Sequence, residues 1–314
     1  METQSQTEML SLQAGGGVEG AMDIRGLVSS FLAAQDVSET SKTLYGKGAR
    51  KFLGWMIDNG IDRPGRTEIL WFKNYLIGSG LAANSINSYL TSVKTFFSFL
   101  ESSKIYPNIA KDIKGMKQAR GHLREAFSAE QIREILDRID CTTLQGKRDF
   151  AIINLLARTG LRTIEVVRAN VEDLKQESGE AVLHVQGKAR SSKDDFVVLI
   201  EPALKPIRAY LRHRGRTKPT DPLFASLSDR NKGSRLTTKS IRHIVKTRMR
   251  AADIDGPKLS SHSLRHFFAT ESLRGGAELQ QVQAAMRHSS LTVTQRYLHN
   301  LDRIENAAER FINF

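Results

Sequence analysis

Ile86, Leu90, Val93, Phe97 and Leu100 recur at helical spacing, a stripe that a helix buries along one face and a strand would divide between two. That stripe commits the first third of the chain to helices packed on one another. The same period runs from Asp23 to about Ile113, with further helices expected over 24–35, 39–57 and 68–77, separated by Asn59-Gly60 and Pro64-Gly65. Four such helices can enclose a core. The aromatic residues Phe52, Trp55, Trp71, Phe72, Phe96 and Phe99 have faces on which bases can stack, but at helical spacing they are expected in that core.

Over 114–125 the period fades into Gly115, Gly121 and the cations Lys114, Lys117, Arg120 and Arg124, the pattern of an exposed connector. The expected division is a leader over 1–22, a helical domain over 23–113, a linker over 114–125 and a second domain over 126–314. The leader is polar and holds Gly15, Gly16 and Gly17, which favours a mobile segment. In the second domain Ser128 stands as an N-cap with Gln131 as its capping-box partner. An apolar helix over 150–157 then reaches Thr159-Gly160, where the glycine suits a left-handed C-cap. Two extended runs, 182–185 and 196–200, flank a polar turn and read as a hairpin. Helices are expected again over 202–214, 238–252, 264–274, 279–287, 293–299 and 302–311. The fold class is mainly α with a small β-hairpin or sheet, an α+β arrangement.

Forty-seven Lys and Arg against 34 Asp and Glu leave a formal charge of +13, which favours an anionic partner, nucleic acid first. Charge alone leaves solubility or a membrane surface open. The single cysteine, Cys141, excludes an intramolecular disulfide framework and a thiolate zinc cluster and fits a reducing compartment, by default the cytoplasm. No apolar run approaches the roughly 20 residues that span a bilayer, and the N-terminus lacks an export pattern. Over 238–252 the cations Lys239, Arg242 and Lys246 fall near one helical face while Ile241, Ile244 and Val245 can point inward. With Lys117 and Arg120 of the connector, these are the candidate DNA-backbone contacts; a solvated role is the alternative on charge alone.

Groups suited to a phosphate gather late in the chain: Arg162 after a helix end, Lys188 in the hairpin turn, then His262, Arg265, His288 and Tyr297. Guanidinium stays protonated and offers paired donors to phosphate oxygens, and imidazole moves protons near neutral pH. These residues lie in Thr159-Gly160-Leu161-Arg162 followed by Glu165; in His262-Ser263-Leu264-Arg265-His266 running into Phe268-Ala269-Thr270; in His288-Ser289-Ser290; and at Tyr297, nine residues after His288. In that order the second domain resembles the tyrosine recombinases, the phage integrases and Xer-like proteins. The first domain is similar to their core-binding domain in size and helical character only.

The resemblance implies that Tyr297 attacks a backbone phosphate and holds the 3′ end of the cut strand as a phosphotyrosine. It makes Arg162, Arg265 and His288 the phosphate donors, His262 the acceptor of the tyrosine proton and Lys188 the acid that protonates the departing 5′ oxygen. Lys193 lies in the same turn; Lys188 is preferred because it follows Gly187, as in the family motif. Glu165 is placed to orient side chains. Where the family commonly has glycine before the second histidine this chain has Arg287, which either demands a different turn or adds a phosphate contact.

A metal site on His262 and His266 is disfavoured, because Arg265 stands between them and no metalloprotease glutamate is present. No metal and no cofactor are expected. The implied partner is double-stranded DNA, held by the two domains as a C-shaped clamp, with four copies joined in a synaptic complex, and the implied activity is site-specific recombination serving integration, excision, resolution or inversion. A type IB topoisomerase, a hairpin telomere resolvase and a DNA-binding protein that no longer cuts are the alternatives. The tail 307–314, with Phe311, Ile312 and Phe314, docks either on its own domain or on a neighbouring subunit.

Overall fold

The structure, a computed structural model, describes residues 9–10, 22–117, 126–187, 192–287 and 294–295. The chain divides into two compact units, Met1–Arg120 and Gly121–Phe314.

The first unit is built on α1 (Ile24–Ala33), α2 (Glu39–Asp58), α3 (Arg66–Gly78) and α4 (Ala83–Ser102). Ser38 caps α2 by accepting the Ser41 amide at 3.3 Å, and the Glu68 carboxylate accepts the Gly65 amide at 2.6 Å at the start of α3. The α4 stripe is buried as its spacing requires, and α2 lies close enough that a Cβ on Gly48 would stand 2.2 Å from that of Ser92. Only glycine permits that approach. Phe31, Phe52, Phe72, Phe96 and Phe97 fill the space between helices, with Phe52 and Phe72 edge to face at 5.1 Å. Trp55 also faces inward, Phe99 is half-buried, and Trp71 departs from expectation at 55% exposed. The reason is phase: α3 turns Ile69, Phe72 and Leu76 to the core, so Trp71 falls off that face. In the stretch read from the sequence as a leader, 1–22, β1 (Met9–Leu10) pairs antiparallel with β2 (Met22–Asp23), which runs one residue past it.

The second unit opens with α5 (Ala129–Asp137), where the Ser128 hydroxyl accepts the Gln131 amide at 3.2 Å and the Gln131 side chain accepts the Ser128 amide at 3.0 Å. The next helix, α6 (Leu144–Thr159), is buried on all sides from Ala151 to Ala157 and forms the centre of this unit. A helix apolar all round has to lie inside, and α8 (Glu201–Arg214) and α10 (Ser261–Arg274) pack on it. The remaining helices are α7 (Thr163–Arg168), α9 (Thr238–Ala251) and α11 (Leu279–Met286).

The expected hairpin is a three-stranded antiparallel sheet, β3 (Leu174–Glu177), β4 (Glu180–Val185) and β5 (Asp195–Val198), in the order β3-β4-β5. Leu174 is opposite Leu183, and Val182 is opposite Val198. The first strand escapes a hydrophobic pattern because it reads Leu-Lys-Gln-Glu; it is fixed by the Ser178-Gly179 turn, whose residues have φ of 50° and 86°. Two consecutive positive φ values suit a tight hairpin between twisted strands. Among the described residues no helix is long and apolar enough to cross a membrane.

Candidate active site

Gly160 ends α6 at φ 60°, and a Cβ there would lie 2.5 Å from the Phe268 ring. Both facts require glycine, and together they bring the chain sharply round so that Arg162 becomes the N-cap residue of α7. Glu165, three residues on and fully buried, accepts the Arg162 amide at 2.7 Å and the Arg162 Nη1 at 3.0 Å. Glu165 thus orients an arginine, as its spacing suggests.

The same carboxylate also meets Arg287, at the C-cap of α11. Arg287 Nη2 lies 2.9 Å and Nε 3.4 Å from the two Glu165 oxygens, and its side chain is 7% exposed. Its backbone is left-handed, φ 53° and ψ 48°, a conformation that costs a residue with a Cβ about 1–2 kcal/mol. This is the geometry that glycine adopts freely. Arg287 keeps it and adds a guanidinium, directed to Glu165. Its carbonyl, in turn, accepts Arg162 Nη2 at 3.3 Å.

Arg265, in the second turn of α10, is buried and donates to the carbonyls of Gly160 and Met286. It therefore ties the turn before Arg162 to the end of α11. Two guanidiniums, of Arg162 and Arg287, share one carboxylate, so the group keeps positive charge for an anion. Burial pushes the Glu165 carboxyl upward, but the charge and hydrogen bonds of Arg287, then the Arg162 amide and the Arg162 charge, outweigh it and hold its pKa below the ordinary glutamate value.

His262 is exposed in the first turn of α10, beside Ser260, whose hydroxyl accepts the His262 amide at 3.2 Å. The His262 and His266 rings have centroids 5.8 Å apart. Lys188, His288 and Tyr297 lie outside the described residues, as do Arg120, the helix expected over 293–299 apart from 294–295, the helix expected over 302–311 and the tail over 307–314.

The described residues on either side of 188–191 are held by the segment that follows Arg162. Arg168 of α7 donates to the Gly187 carbonyl at 3.0 Å, and Lys193 pairs at 2.5 Å with buried Asp173. The Lys193 ammonium is thereby engaged in a structural pair.

On α9, Ile241, Ile244, Val245 and Met249 face the core while Lys239 and Arg242 are exposed. Lys246 departs from that set: it is half-buried and pairs with Asp255, which also holds Arg250. Lys117, in the first unit, is exposed. Sequence reasoning missed Arg168 and left the partner of Arg287 undecided; the only signal was a cation in a place suited to glycine.

Residues 125–303 match the phage integrase family. Over 287 residues the chain is 31% identical to tyrosine recombinase XerD of Pseudomonas putida, spanning 87% of this chain and 92% of that protein. It is 34% identical over 212 residues to tyrosine recombinase XerC of Myxococcus xanthus, spanning 66% and 69% of the two chains. In fold it is similar to XerH site-specific recombinase bound to a palindromic difH substrate in a post-cleavage complex, with TM-score 0.72 and 22% identity over 93% of this chain and 86% of that one.

Proposed function

We propose, for a chain that belongs to the phage integrase family and is a tyrosine site-specific recombinase, that Tyr297 is the nucleophile and that the guanidinium cluster receives the scissile phosphate of double-stranded DNA. The observation that carries this reading is the meeting of Arg162 and Arg287 at the buried carboxylate of Glu165, with Arg265 donating to the carbonyls of Gly160 and Met286, close to them in the chain.

The Tyr297 phenolic oxygen forms a bond to phosphorus and the bond from phosphorus to the 5′ oxygen breaks. His262 takes the phenolic proton, and the Lys188 ammonium gives a proton to the departing 5′ oxygen. Attack by a 5′ hydroxyl on the phosphotyrosine reverses these transfers and rejoins a strand, so ester energy is conserved. Arg162, Arg265 and His288 offset the charge that grows on the non-bridging oxygens, where prepositioned donors have their largest effect. Engagement of Lys193 by Asp173 supports Lys188 as the acid.

Affinity and register come from cations along the phosphates. Exposure favours Lys117, Lys239 and Arg242 for that work, with Arg120 as a further contact of the linker and Lys246 contributing once released from Asp255. The helical first unit serves as a core-binding domain, and four copies assemble for strand exchange in the cytoplasm.

A duplex carrying a nick beside the cleavage point, which traps the cut strand, tests the chemistry. The wild-type protein should form a covalent adduct and Tyr297→Phe none. A wild-type protein that binds its site and forms no adduct would refute the reading.

A further inference from the structure

We propose that Arg287 is a positioning residue that sets the Arg162 guanidinium for the phosphate, an inference that rests on the reading of Arg162 as a phosphate donor. Arg287 holds Arg162 from two sides. Its carbonyl accepts Arg162 Nη2 at 3.3 Å, and its guanidinium engages both oxygens of the Glu165 carboxylate that receives Arg162 Nη1 at 3.0 Å. A planar guanidinium fixed at two of its nitrogens has little freedom left to turn.

Charge gives the arrangement a second consequence. With Arg162 alone, Glu165 would form a one-to-one pair and draw much of that arginine's field to itself. Shared with Arg287, the carboxylate is spent on two cations, and Arg162 keeps charge for an incoming anion. The exposures agree: the Arg287 side chain is 7% exposed and that of Arg162 is 26%, so Arg162 faces outward while its support stays inside. Arg287 occupies a left-handed backbone position that glycine would fill without strain, so the side chain is retained against a local conformational cost.

The test measures DNA cleavage on two duplexes, one with an ordinary scissile phosphate and one with an uncharged methylphosphonate at that position. The neutral linkage lacks the charge that the guanidiniums offset. On the ordinary phosphate Arg162→Ala should lose about 100–1000-fold and Arg287→Gly about 10–100-fold, the loss of a charge-assisted contact. On the neutral linkage both losses should shrink to a few-fold. Arg287→Lys should recover part of the rate, and Arg287→Gly should add nothing in a Glu165→Gln background. Arg287→Asn, which also tolerates the left-handed backbone, repeats the measurement should the glycine variant fold poorly.

If Arg162→Ala recovers on the neutral linkage and the Arg287 variants do not, Arg287 has only a structural role and the inference is overturned while the reading of Arg162 stands. An Arg287→Gly protein with unchanged rate on the ordinary phosphate overturns it equally. Should Arg162→Ala fail to recover, the phosphate reading of Arg162 falls, and this inference with it.

Discussion

The two units solve the problem of a stable interior in opposite ways. In the first, Phe31, Phe52, Phe72, Phe96 and Phe97 meet directly, and Ser92 is the only buried polar residue among those described. In the second, Arg148, Asp149, Glu165, Asp173 and Arg265 are buried among aliphatic side chains. Removing such charges from water costs several kcal/mol per ion unless each is paired and hydrogen-bonded. The carboxylates are paired, Asp149 with Arg148 at 2.8 Å and Arg248 at 2.6 Å, Glu165 with Arg162 and Arg287, and Asp173 with Lys193, while Arg265 donates to the carbonyls of Gly160 and Met286. Apolar burial is enough to hold a scaffold. Fixed charge is accepted where the packed helices bring each carboxylate its cationic partners.

That contrast can be broken first in the aromatic core. Phe52→Ala should destabilise the first unit by about 3–5 kcal/mol through lost contacts and a residual cavity. Hydrogen exchange should accelerate over 24–113 and remain slow over 126–287; equal acceleration in both would mean that the cores are not independent.

Next comes the charged site. Arg162→Ala should raise the cleavage barrier by about 2.7–4 kcal/mol, as loss of an oxyanion donor does, while gel-shift affinity for the site falls less than tenfold because many other cations bind phosphates. A parallel loss of binding and cleavage would make Arg162 an affinity residue.

The smallest effect is a dependence on acid. The folded Glu165 pKa is depressed, so its ion pairs stabilise the second unit fully above the ordinary glutamate value of about 4.3, and that contribution disappears as pH falls below it through the folded value. Glu165→Gln should therefore flatten the decline in unfolding temperature below about pH 4.3. An unchanged decline would show that other carboxylates control it.

Much of the scaffold was legible because its signals are local. The Ile86 to Leu100 stripe announced α4, Ser128 and Gln131 announced a helix start, and Gly160 announced a left-handed stop. Where the reading slipped, a non-local preference had decided. β3 is polar and gains its place by pairing with β4, Trp71 lies off the buried face of α3, and Lys246 is drawn away from its cationic neighbours by Asp255. At the site, residue types and order pointed to phosphate chemistry, yet Arg287 remained undecided. Its side chain finds a partner 122 residues earlier in the chain.

The sequence by itself determined the helical periods, several of the caps and the order of cations and histidines along the chain, because capping, periodicity and side-chain ionisation act within a few residues. Only the tertiary structure decided that Gly160, Glu165 and Met286 receive the guanidiniums of Arg162, Arg265 and Arg287. Charge has no memory of chain position: a guanidinium settles on whichever acceptor the packed helices bring within 3 Å or so.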